Sequence, residues 1–183
     1  MLETHVLKQS LGGHSALLIR SLSSLPSFMV AERFTTKNSV VKILSISSEF
    51  ARLFGAKIEQ EVKNNIIAYS HLLTIPIGDM AIFSRIDGAN KAVLSLSSIY
   101  SLLTKQNNCQ EGSLITTGEA NVFYAVDVFN VVQAVSLHAT DNGWKIFAHQ
   151  TEDFEPWKEG CQIFTAKPWP ESSRISSREM MYS

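Results

Sequence analysis

Apolar residues along the chain change their period several times, and each change predicts an element. Leu11, Leu18, Leu22 and Leu25 fall on one helical stripe that Pro26 ends, which predicts a helix near 14–25, with Gly12-Gly13 weakening its start. Asn38 to Ser47 contains Val40, Val41, Ile43, Leu44 and Ile46, a β-branched run that suits a buried strand. Phe50, Phe54, Ile58 and Val62 then recur every fourth residue behind Ser47, Ser48 and Glu49. A serine cap and an early acid predict a helix over 48–63, with Glu59 and Lys63 paired on its wet side.

Beyond Asn64-Asn65 the period drops to two. Ile67, Tyr69, His71, Leu73, Ile75 and Ile77 occupy alternate positions, the mark of a strand with one buried face. Gly78-Asp79 reads as a type II′ hairpin with Met80 to Asp87 as the returning strand. Asp87-Gly88 is a further turn. Lys91 to Leu96 reads as a strand running into a short helix over 97–104, although Leu96, Ile99, Tyr100 and Leu103 also fit one longer helix. Asn107 to Gly112 is a loop. Ala120 to Thr140 holds two strands with a bend near Phe129-Asn130. Asn142-Gly143 should join 131–141 to 144–150 as a tight hairpin, and Cys161 to Lys167 should form the last strand.

Hairpin signals without regular β-α alternation give an α+β fold: a single domain over 1–167, with a mostly antiparallel sheet of about five to seven strands and the helices near 14–25 and 48–63 packed on one face. Pro168, Pro170, Ser172, Ser173, Ser176 and Ser177 mark residues 168–183 as a mobile or loosely docked tail.

The Asn142-Gly143 turn also yields a register. It sets Asp141 opposite Trp144, Ala139 opposite Ile146 and Leu137 opposite Ala148, the core side. His138 then faces Phe147 and Ser136 faces His149 on the other side. The two histidines become diagonal neighbours, with Cβ atoms within about 8 Å. Such imidazoles can share a transition metal if a third ligand comes from elsewhere, or act as a base beside Ser136. A polar, solvent-facing side of a sheet gives the same pattern with no chemistry at all.

Composition narrows these options only slightly. The chain has 183 residues, 45% hydrophobic, 18% charged and a net charge of −1. That is enough chain for one core and too little charge to steer the whole molecule onto nucleic acid. Charge is uneven: Lys8, Arg20, Arg33, Lys37 and Lys42 outnumber the acids before residue 49, and acids dominate 150–171. Residues 151–160 mix Glu152, Asp153, Glu155 and Glu159 with Phe154 and Trp157. They lack the central glycine of a calcium loop. Trp157, Phe154 and Glu155 are therefore read as an aromatic anchor for a protein partner, beside the plainer reading of a loop packed on the sheet.

Cys109 and Cys161 form no CxxC pair, so a reducing, cytoplasmic setting is expected. Cys109 lies in a loop with only Lys105 near it, weak support for a reactive thiolate, and Cys161 reads as packing. No apolar run is long enough for a membrane helix. The acid-free stretch 4–31 has a faint organelle-targeting composition, but an ordinary first helix accounts for it. Gly12-Gly13-His14-Ser15 starts like a nucleophile elbow, and Ala16-Leu17 breaks the pattern. Phosphate-loop, dinucleotide, deaminase, zinc-finger and RNA-recognition signatures are missing. Two function classes stay open. One is a non-catalytic binding or protein-interaction domain, such as a bacterial or phage accessory factor. The other is a small hydrolase, with or without the help of a metal, that uses His138 and His149. No cofactor is indicated.

Overall fold

The computed structural model describes residues 9–11, 14–19, 27–60, 66–151 and 155–170. They form an α+β domain around a mixed, mainly antiparallel sheet. Its strands are β1 (Gln9–Leu11), β2 (His14–Ile19), β4 (Ile43–Ile46), β6 (Ile66–Leu72), β7 (Asn121–Val126), β8 (Val132–Thr140), β9 (Gly143–Gln150) and β10 (Gln162–Thr165). The spatial order is β1-β2-β6-β10-β7-β8-β9-β4. Among the described strand pairs, β10 with β7 and β4 with β9 run parallel. The short strands β3 (Ser27–Met29) and β5 (Ile58–Gln60) pair separately.

Period-two alternation gives this sheet two apolar faces. One carries Phe123, Val135, Leu137, Trp144, Ile146 and Phe164. It packs under α1 (Val30–Arg33), α2 (Ser48–Phe54) and α4 (Leu96–Lys105) through Phe34, Phe50, Phe54, Ile99 and Leu103. Phe123 and Phe164 stack with ring centroids 4.4 Å apart, and the Trp144 indole N–H donates to the Gln106 carbonyl at 2.8 Å. The opposite face carries Val122, Tyr124, Ala134 and Ile163 and receives α3 (Asp79–Arg85) through Ile82 and Phe83. The helices therefore lie on both faces, three on one and α3 on the other, rather than on one alone.

Several expected elements change type. Residues 14–19 are a strand, not the start of a helix over 14–25, because their backbone pairs with β6; residues 20–26 lie outside the described residues. The expected buried strand over 38–47 shortens to β4 at the sheet edge, with Val40 and Leu44 exposed. The helix over 48–63 stops at Phe54: Ser47 caps it as expected, but Ile58–Gln60 is drawn off to pair with β3. Lys63, the expected partner of Glu59, lies outside the described residues. The Glu59 carboxylate accepts from the amides of Leu96 and Ser97, at 3.0 and 2.9 Å, and so caps α4.

Gly78-Asp79 is not a hairpin turn. Gly78 is extended (φ −85°, ψ 159°) and precedes α3, which replaces the expected strand 80–87 because Ile82, Phe83 and Ile86 reach the sheet from one side of a helix. Residues 91–95 are likewise not a strand; a 3-10 turn over Ala89–Lys91 leads to α4. The bend between β7 and β8 does form, around Asn130 with φ +64°. There the Asp127 carboxylate accepts from the amides of Phe129 and Val131 at 2.8 and 2.9 Å.

The β8–β9 hairpin exists, but its register is displaced by two residues from the expected one. Thr140 faces Gly143, Ala139 faces Trp144, Leu137 faces Ile146, His138 faces Lys145 and Ser136 faces Phe147. The reversal falls on Asp141-Asn142, and Gly143 opens β9 at φ +131°. A displacement of two preserves every side chain's face, and no bulge interrupts the pairing.

Gly143 meets two constraints at once: a positive φ, and a Cβ that would stand 2.4 Å from the Lys42 carbonyl oxygen, which accepts from the Trp144 amide at 2.8 Å. Gly88 has a similar φ of +123° with nothing near its missing Cβ. Gly143→Ala is therefore expected to lose about 2–4 kcal/mol in denaturant unfolding and Gly88→Ala about 1–2 kcal/mol. Equal losses would show that the Lys42 strand yields at no cost.

Candidate functional site

The side of β8–β9 that turns away from Trp144 and Ile146 carries Ser136, His138, Phe147 and His149. Here α3 does not cover the sheet. Between this face, the start of α3 and the segment 155–161 lies a cavity of about 710 Å³. Its wall is made by Asp79, Glu119, Ala120, His138, His149, Gln150, Glu155, Pro156, Trp157, Lys158 and Cys161. Of the residues singled out in the sequence, His138, His149, Glu155 and Trp157 thus meet at one place. Ser136 lies beneath the histidines, fully buried. Phe154 lies outside the described residues.

Ser136 Oγ stands 2.9 Å from His149 Nε2 and 3.3 Å from His138 Nε2. One hydroxyl hydrogen cannot serve both contacts. If both are hydrogen bonds, at least one imidazole carries its proton on Nε2 and donates to Oγ. His138 also leans edge-on against Phe147, with centroids 5.4 Å apart, and His149 against Trp157, at 5.2 Å. The rings are therefore held from the side as well as from below.

Trp157 is positioned by backbone and side chain together. Its amide and carbonyl pair with those of Ile77 at 2.9 and 3.0 Å. Its indole N–H donates to Asp79 Oδ1 at 2.6 Å, and the Tyr124 hydroxyl donates to the same oxygen at 2.5 Å. Asp79 is buried, so these donors replace water around its carboxylate. Burial first, and the Asp79 charge second, push the Tyr124 hydroxyl well above the usual tyrosine range.

The thiols are poorly placed for nucleophilic work. Cys161 lines the cavity, and burial raises its thiol above the ordinary range, with Glu119 Oε2 3.9 Å from the sulfur. Cys109 lies away from this cavity with φ +56°, and burial raises its thiol too. The two are separate free cysteines. Among the described residues no three His, Cys, Asp or Glu side chains gather as a metal-binding group, and no helix is long and apolar enough to cross a membrane.

Asp79, Glu119 and Lys158 are the site residues that sequence reasoning missed. Asp79 was hidden by the turn-like Gly78-Asp79 pair. Glu119 and Lys158 carry no local signal, since only the tertiary fold brings them to His138. No family model, curated protein or solved structure matches the chain.

Tyr124→Phe removes one donor from a buried carboxylate and should lower stability at neutral pH by about 1.5–3 kcal/mol. It should also change the alkaline limb. Above about pH 10 the unfolded chain releases the tyrosine proton while folded Tyr124 retains it, so stability falls as pH rises. Urea unfolding between pH 8 and 11 should give a shallower fall for Tyr124→Phe than for the native chain. Parallel curves would mean that Tyr124 contributes nothing to that limb.

Proposed function

We propose that the chain is a non-catalytic binding domain whose ligand is a small organic molecule seated between Trp157 and the His138–His149 face. The cavity carries this reading. At about 710 Å³ it falls within the range of about 300–1,000 Å³ common to small-molecule sites. Apolar surface from Trp157, Pro156 and Ala120 stands beside convergent polar groups, the usual division between affinity and orientation. Trp157 is half-buried and fixed to Asp79. That favours a wall for a ligand over an outward anchor for a protein partner.

A hydrolase draws support from one contact, Ser136 Oγ to His149 Nε2 at 2.9 Å, which is the spacing of a serine and its general base. The burial of Ser136 weighs against it, because a nucleophile must meet the substrate carbonyl. The hydroxyl serves better as the brace that orients both imidazoles.

The neutral probe 2-phenylethanol tests the binding reading. In an NMR titration it should shift the His138 and His149 ring signals saturably, and Trp157→Ala, checked for folding by circular dichroism, should weaken binding at least about tenfold. Unmoved histidine signals would remove the reading. A fluorophosphonate probe addresses the hydrolase: Ser136 should remain unlabelled, and stoichiometric labelling there, lost in Ser136→Ala, would favour the enzyme.

A further inference from the structure

We infer that the ligand of this cavity is a small organic cation, a protonated amine on an apolar body; this rests on the binding reading above. Three carboxylates, Asp79, Glu119 and Glu155, face one ammonium, Lys158, around the cavity wall. Among the described residues of the wall, carboxylates thus outnumber ammonium groups by two, in a chain whose formal balance is −1. Charge of one sign gathered around a concave surface focuses its field there and draws in the opposite sign.

The size and shape of the space decide what kind of cation. A volume of about 710 Å³ far exceeds that of a bare metal ion, and the described residues offer no cluster of three metal ligands. The Trp157 indole adds a π surface, which attracts an ammonium and also packs on its hydrocarbon part. An anion would meet the three carboxylates across the same space and lose affinity to repulsion.

Glu119 and Glu155 are exposed, so neutralising them should leave the fold intact. Titrations compare 2-phenylethylamine, 2-phenylethanol and 3-phenylpropionate, read at the His138 and His149 ring signals. The amine should bind about tenfold tighter than the carboxylate at low salt. The double variant Glu119→Gln/Glu155→Gln should shrink that preference several-fold, as should raised ionic strength. If the carboxylate binds as tightly as the amine, or the preference survives the double substitution unchanged, the charge inference is overturned. The binding reading stands in that case as long as the neutral alcohol still binds. If none of the three probes moves the histidines, both fall together.

Discussion

The candidate site depends on a buried carboxylate that gathers distant parts of the chain. Asp79 opens α3, Tyr124 lies in the centre of β7, and Trp157 belongs to the segment leading to β10; both of the latter donate to one Asp79 oxygen. Removing a carboxylate from water is costly unless its hydrogen bonds are replaced. Here the replacements are a phenol and an indole, whose ring bodies pack as apolar surface. The same two bonds that make Asp79 tolerable thus fix α3 against the sheet and hold the indole at the cavity wall. Ile77 and Trp157 add their backbone pairing at the same point, so the wall is held at two places.

The hairpin supplies the opposite wall, and it was legible in the sequence for a reason that outlived a wrong register. The strand pair around Asn142-Gly143 and the common face of His138 and His149 follow from a period of two. The actual reversal lies over Asp141-Asn142, a displacement of two residues, which conserves parity. What the local signal did not carry was the reason for Gly143. That glycine answers to the Lys42 carbonyl, a contact from a distant strand.

Where the sequence misled, tertiary pairing overrode a good local pattern. Phe50, Phe54 and Ile58 keep helical spacing, yet Ile58–Gln60 pairs with β3, and the Glu59 carboxylate accepts from two amides at the start of α4. Gly78-Asp79 signals a hairpin with Met80 to Asp87 as its returning strand, but Ile82, Phe83 and Ile86 pack on the sheet from a helix and its end. In the first segment, Gly12-Gly13 marks a hairpin as readily as a weak helix start, and the backbone sets Leu11 opposite His14. Trp169, within the segment read as a mobile or loosely docked tail, is buried, stacked on His71 at 4.0 Å and covered by the Arg85 guanidinium. Proline and serine composition says little about a single large ring that finds a slot.

The two faces of the sheet also explain why a cavity forms here. Under α1, α2 and α4 the apolar side chains of β7, β8, β9 and β10 are filled in by helices. Among the described residues the other face receives a single α-helix, the seven-residue α3, and β8 and β9 extend beyond its reach. The side chains there are Ser136, His138, Lys145, Phe147 and His149 rather than a row of aliphatics, so no hydrophobic demand required another helix. Burial of Ser136 then follows from the rings themselves: two imidazoles close over a small hydroxyl that stands 2.9 and 3.3 Å from a nitrogen of each. The surface that remains is a rigid, polar floor facing an aromatic wall, with carboxylates around the space between them. The Asp79 bonds that steady α3 thus also set the indole opposite the two imidazoles, and on the binding reading the ligand lies between them.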